Sequence, residues 1–211
     1  MIATKICGIT NNSDAKLAIS MGASALGFIF YKNSPRYVNI KTAKMISSKN
    51  SKGRFIGVFV NEDIDYIKRV IDEVGLNGVQ LHGDESNVFC QSFNVPVIKA
   101  ITVKPNLNKS VFDKYDVSAL LFDTYDKNLP GGTGKTFDWS MLNLDHIKLP
   151  IILSGGLNDQ NIIEGIKTVN PSALDINSGV ELKPGKKSKT KMKIVFSKLI
   201  SSKNKGYKFD K

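Results

Sequence analysis

The sequence predicts an α/β protein, a (β/α)8 TIM barrel in a single domain. Three observations predict it: eight short β-branched or aliphatic runs recur along the chain, helix-patterned stretches lie between most of them, and each run ends near polar or glycine-rich residues. Near-continuous apolar strands suit a sheet buried on both faces, and the connections are long enough for crossover helices between parallel strands. Eight such units, with no composition break or Pro/Gly/Ser-rich linker, favour a closed barrel over a doubly wound open sheet. The 211 residues sit at the short end of the barrel's usual size range.

Taken in order, the first strand is read at residues 4–7, followed by a helix at 13–21 in which Ala15, Leu17, Ala18 and Met21 fall at helical spacing. Strands at 25–30 and 55–60 precede helices at 42–48 and 64–74. The fourth strand, 78–81, leads into the apolar helical stretch 88–93, and the fifth, 97–100, into a segment with a weaker helical pattern. The sixth strand, 119–123, opens the longest loop. A seventh at 151–154 and an eighth at 173–177 are followed by helices at 159–169 and 191–200. The barrel domain is thus 1–200, with a lysine-rich tail at 201–211.

The charge is unevenly placed. The net charge is +11, but residues 182–211 hold eleven lysines and one acid, Asp210, a local balance of +10; the preceding body is nearly neutral. With 41% hydrophobic and 23% charged residues, disorder is excluded. No apolar run reaches the ~18 to 20 residues needed to span a bilayer, and the N-terminus lacks the apolar core of a signal peptide, so a cytoplasmic location is expected. Two cysteines, Cys7 and Cys90, are too few for a disulfide framework and read as free thiols.

In such barrels chemistry gathers at the C-terminal ends of the strands. The residues predicted there are Cys7, Arg36, His82, Lys99, Asp123, Ser154 with Gly155 and Gly156, and Asp175 through Gly179. Cys7 reads as a functional thiol or a small buried hydrophobe. Asp123, closing an apolar run, is either a carboxyl drawn partly out of water, as a general acid requires, or a cap on the next turn. The glycine pair Gly155–Gly156 after the seventh strand and Ser178 with Gly179 after the eighth suit a phosphate site built from backbone N–H groups.

Seven motifs follow one another along the chain: KICGIT (5–10), GFIFYKNSPRYV (27–38), GVQLHGDE (78–85), LLFD (120–123), GGTGKTFDW (131–139), LSGGL (153–157) and NSGVELKPGKK (177–187). As an ordered set covering about residues 3 to 200, they resemble the phosphoribosylanthranilate isomerases. The resemblance implies an Amadori rearrangement of N-(5-phosphoribosyl)anthranilate to 1-(2-carboxyphenylamino)-1-deoxyribulose 5-phosphate, in tryptophan biosynthesis. It requires an acid for the furanose ring oxygen and a base for the C2 proton, with no metal or redox cofactor.

The resemblance makes Cys7 the base and Asp123 the acid, and gives Arg36 the anthranilate carboxylate as partner. Arg36 is one of only three arginines, with Arg54 and Arg69, and a guanidinium fork suits a carboxylate. Gly155, Gly156, Ser178 and Gly179 become the phosphate grip. Asp175 accepts from a sugar hydroxyl or serves as a structural carboxylate, and His82 bonds the substrate or braces the barrel mouth. A thiol base needs enough thiolate at neutral pH, so positive charge is expected near Cys7. Cys90 keeps the structural reading.

Other features are set aside. GGTGKT lacks the first glycine of a nucleotide-binding loop, Leu129 standing in its place, so ATP is excluded; its glycines suit a lid over the substrate. Asp126 is given no role, and His146 is read as structural or exposed. Two distant histidines without clustered cysteines argue against zinc. The synthase of indoleglycerol phosphate needs an N-terminal extension, and a ribulose-phosphate epimerase needs metal-binding histidines. The tail has no arginine and few aromatics, so a solvated helix and frayed end is expected rather than a nucleic-acid site. The start of the last helix, Ser188 to Lys191, departs from the family's acidic or mixed pattern. The expected partner is the small-molecule substrate, with no nucleic acid or membrane, and the chain is read as a monomer with a homodimer as the alternative.

Overall fold

The computed structural model describes residues 1–103, 109–124, 139, 147–203 and 205–209. Eight parallel strands close into a barrel in sequence order: β1 (Ala3–Ile6), β2 (Ala25–Ile29), β3 (Phe55–Phe59), β4 (Gly78–Leu81), β5 (Val97–Val103), β6 (Ala119–Thr124), β7 (Ile151–Leu153) and β8 (Ala173–Ile176), with β8 paired to β1. The predicted fold is therefore the observed one.

Around it lie α1 (Asn12–Ser20), α2 (Ile40–Ser48), α3 (Ile64–Val74), α4 (Asn87–Cys90), α5 (Ile162–Val169) and α6 (Lys189–Leu199). All but α5 start at a side-chain cap: Asn11, Asn39, Asp63, Ser86 and Ser188 each accept a backbone N–H of the first turn. The departure at Ser188 to Lys191 thus leaves a capped helix, which begins two residues before its predicted start. After β5 the weak helical pattern becomes a 3₁₀ turn, Lys109–Lys114. Sequence reading did not foresee the hairpin of β9 (Glu181–Lys183) and β10 (Lys186–Lys187), nor the 3₁₀ turn Ser178–Val180 that leads into it.

Period-two alternation sorts the strand residues. Ile6, Val79, Leu81, Leu174 and Ile176 face outward into the main core beneath the helices. The inward positions run Ala3, Lys5, Cys7 on β1; Gly78, Gln80, His82 on β4; Ala119, Leu121, Asp123 on β6; and Ala173, Asp175, Asn177 on β8. Small residues thus occupy the N-terminal end and polar ones the C-terminal end.

The first residues of β1, β2, β6 and β8 are alanines, which leave space at that N-terminal end. Phe209, 1% exposed, fills it and packs in one cluster with Ala3, Ala25, Ala119 and Ala173, its ring edge-on to Tyr207. The expected frayed end does not hold at Phe209. Lys205 and Lys208 remain exposed, so the basic groups stay in water while the aromatic enters the core.

Candidate active site

One pocket at the C-terminal end of the barrel is lined by Cys7, Arg36, His82, Asp123, Asp175 and Asn177, with Gln80 and Ser154 beside them. The fold thus brings together residues from six strands or their loops. Cys7 follows β1 and is fixed by its N–H to Ile176 O (2.9 Å), while the loop continues at Gly8 in the left-handed region (φ 71°). On β2, Gly27 makes room: a Cβ there would meet Cys7 Sγ at 2.7 Å and Lys5 Cε at 3.1 Å.

Lys5 is fully buried two residues before Cys7, on the same inward face. Its Nζ donates to Asp175 Oδ2 (2.8 Å) and Gln80 Oε1 (2.9 Å), and it also bonds the Cys7 side chain. Burial pushes the Cys7 thiol up; the Lys5 and Lys187 ammonium groups pull it down, and Asp175 pushes it further up. Burial by itself would lower Lys5, but Asp175 and Cys7 hold it above its ordinary value. The positive charge that a thiolate needs is therefore present, at a residue sequence reading had not singled out.

Asp123 ends the inward row of β6, and its Oδ2 lies 3.3 Å from His82 Nε2. His82 Nδ1 lies 2.9 Å from Gln80 Nε2. Asp175 Oδ1 is buried and has no hydrogen-bond partner among the described residues, although the carboxylate lines the pocket.

Arg36 does not stand free. Its Nε and Nη2 grip Glu181, with Nη2 to Oε2 at 2.7 Å and Nε to Oε1 at 3.0 Å. Glu181 also receives Lys187 Nζ (3.0 Å), and Lys187 donates onward to Asn177 Oδ1 (3.0 Å). Burial by itself would raise the Glu181 carboxyl, but Arg36 and Lys187 outweigh it and hold the group below its ordinary value. Burial holds Lys187 below the usual lysine range despite that carboxylate. Sequence reading missed Gln80, Glu181 and Lys187; the available signal was their position inside the GVQLHGDE and NSGVELKPGKK stretches.

The two glycine loops meet after β7 and β8. Gly155 and Gly156 both take positive φ, 87° and 65°. A Cβ on Gly179 would lie 2.0 Å from Leu157 O, so only glycine permits this approach. Lys99, predicted at the barrel mouth, instead pairs with Glu85 (3.0 Å) and bonds Gly83 O, bracing the loop after β4. Cys90 is buried under α4, its thiol pushed up to about 11 by burial. Asp126, His146 and the glycines of GGTGKT lie outside the described residues, and among those described no cluster of three metal-ligating side chains occurs.

A family model described as N-(5'-phosphoribosyl)anthranilate (PRA) isomerase matches residues 4–198. An N-(5'-phosphoribosyl)anthranilate isomerase of Trichormus variabilis is 42% identical over 207 residues, covering 93% of this chain and 98% of its own. The crystal structure of phosphoribosyl anthranilate isomerase from Thermus thermophilus superposes with a TM-score of 0.87 at 32% identity, over 96% of this chain and all of that one. Another such isomerase, crystallised with reduced 1-(o-carboxyphenylamino)-1-deoxyribulose 5-phosphate, gives a TM-score of 0.82 at 36% identity, over 93% and 97% of the two chains.

Proposed function

The chain belongs to the N-(5'-phosphoribosyl)anthranilate isomerase family, and from that premise we propose how its pocket carries the reaction. The protein is an isomerase of tryptophan biosynthesis, converting N-(5-phosphoribosyl)anthranilate to 1-(2-carboxyphenylamino)-1-deoxyribulose 5-phosphate. Asp123 gives a proton to the furanose ring oxygen, the ring opens to a Schiff base, and Cys7 removes the C2 proton. The resulting enolamine tautomerises to the ketose. Each turnover moves one proton from Asp123 to the substrate and one from the substrate to Cys7, so the site resets by exchange with solvent.

The observation that carries this reading is the placement of Cys7 and Asp123 on the top inward positions of β1 and β6, across one pocket. Arg36, its Nε and Nη2 committed to Glu181, offers its remaining Nη1 to the anthranilate carboxylate. Asp175 Oδ1 accepts from a sugar hydroxyl, consistent with its lack of a partner among the described residues. Gly155, Gly156, Ser178 and Gly179 present backbone N–H groups to the phosphate, the positive φ of Gly155 and Gly156 and the approach of Gly179 to Leu157 O favouring glycine at those three positions. His82 braces Asp123 at the rim.

Residues 1–200 form the catalytic domain in this reading, with 201–211 an appended tail. No helix of the described residues is long and apolar enough to cross a membrane. We take the site of action to be the cytoplasm and the working form a monomer, since the exposed large apolar side chains among the described residues, Met45, Val88, Leu182, Ile194 and Ile200, form no contiguous run in the sequence.

The test is turnover of freshly generated phosphoribosylanthranilate, followed by loss of its fluorescence. Folded Cys7→Ser and Asp123→Asn are each expected to lose at least about a hundredfold in kcat, the usual scale for a general acid or base. Turnover at the wild-type rate in either variant removes that residue from its role.

A further inference from the structure

A chain of close polar contacts joins Lys5, beside the base, to the acid. It runs from Asp175 to Lys5 (2.8 Å), to Gln80 Oε1 (2.9 Å), from Gln80 Nε2 to His82 Nδ1 (2.9 Å), and from His82 Nε2 to Asp123 Oδ2 (3.3 Å). Its polarity is fixed at one end. A lysine ammonium has donors and no acceptor, so the Gln80 atom facing Lys5 must be the carbonyl oxygen. The amide nitrogen then faces His82 and must donate, which makes Nδ1 the acceptor and leaves the ring proton on Nε2.

We propose that Gln80, oriented by Lys5, is a positioning residue that locks His82 as the neutral Nε2–H tautomer and thereby bars the ring from accepting the proton of Asp123. An imidazole with a bare Nε2 beside Asp123 would take the carboxyl proton for itself. With Nε2 already protonated and Nδ1 occupied by an amide donor, the ring has no free lone pair. Turning the Gln80 amide over to accept from Nδ1–H would aim its NH2 at the Lys5 ammonium, a like-with-like contact in a fully buried site. Buried Lys5, 0% exposed, therefore reaches the acid through two intervening side chains, Gln80 and His82.

Among the described residues, the charged groups within this chain are Lys5 and Asp175 at one end and Asp123 at the other. Glu85 and Lys99 on the adjoining loop and strand are paired with each other and bond backbone groups of Gly83. Among the described residues, neither contacts the His82 ring. The inference rests on the reading of Asp123 as the acid.

Two-bond ¹⁵N–¹H NMR on protein labelled at histidine, with His82 assigned by the His82→Asn variant, reads the tautomer in the wild type at pH 7. The expected result is Nε2–H with unprotonated Nδ1; an Nδ1–H tautomer or an imidazolium overturns the proposal without recourse to any Gln80 variant. Gln80→Glu places an acceptor opposite Nδ1 and is expected to protonate it, with kcat falling at least tenfold and KM changing less than about threefold. An unaltered His82 spectrum in folded Gln80→Glu overturns the proposal as well. Wild-type turnover by Asp123→Asn removes the acid assignment and this inference together, whereas an inactive Asp123→Asn with the wrong tautomer removes the inference alone.

Discussion

Arg36 and Glu181, 145 residues apart in sequence, form a buried forked ion pair with Nη2 to Oε2 at 2.7 Å. The carboxylate neutralises one edge of the guanidinium and fixes its plane, so the substrate meets an arginine whose rotamer is already chosen. Glu181 is in turn held by Lys187 and by the Gly185 N–H (3.1 Å), which ties the hairpin after β8 to the loop after β2.

Removing that constraint is expected to appear in binding. Glu181→Gln frees Arg36 and should raise KM roughly tenfold with a smaller change in kcat, because positioning of the anthranilate carboxylate is lost before the chemistry is. Steady-state kinetics check this. A fall in kcat with KM unchanged would place Glu181 in the chemical step instead.

The same carboxylate makes stability depend on acid pH. Its folded pKa lies below the ordinary value, so the ionised form is favoured by folding. That contribution is fully present above the unfolded value of about 4.3 and is lost as pH falls through the folded value. Denaturant unfolding of wild type between pH 6 and 3 is expected to show a steeper loss of stability than Glu181→Gln over the same range. Parallel curves for the two proteins would contradict it.

Lys5 should govern the reactivity of Cys7. In a Cys90→Ser background, the alkylation rate by iodoacetamide is expected to rise with pH through a midpoint above the ordinary thiol value, since burial pushes Cys7 up. Lys5→Gln removes the nearest opposing charge and should move that midpoint at least about one unit further up, with activity recovering at alkaline pH. The comparison of Lys5→Gln/Asp175→Asn with Asp175→Asn isolates the charge without stranding a buried carboxylate. Cys90, at about 11, should react slowly at pH 8.

The last residues should contribute to stability and not to turnover. Truncation after Ser202, or Phe209→Ala, uncovers the alanine-lined end of the barrel. Loss of a buried phenylalanine costs ~3 kcal/mol, which for a chain of this size lowers Tm by about 6 to 12 °C. Calorimetry and kinetics on the truncated chain check this, and an unchanged Tm would show that Phe209 adds nothing.

The chain's apolar pattern already carried the architecture, because strands buried on both faces must be apolar nearly throughout and crossover helices must alternate with them. The apolar runs carried Cys7 and Asp123 to the C-terminal end of the barrel because they close such runs, whereas Arg36, in the polar loop after β2, was placed there by the motif order. Lys5 and Gln80 were harder to see, since a polar residue inside a short apolar strand reads locally as an interruption.

What the sequence by itself determined was the local alternation, the helix caps and the types of side chain available. Only closure of the barrel decided which polar groups meet: β8 returning to β1 sets Lys5 beside Asp175, and the hairpin after β8 sets Glu181 on Arg36. Phe209 shows the same division, because hydrophobicity predisposes it to burial but the space under the barrel exists only once closure brings the four alanine-headed strands around one end. Pairing of buried charges and filling of cavities depend on distances through space, which no local stretch of chain encodes.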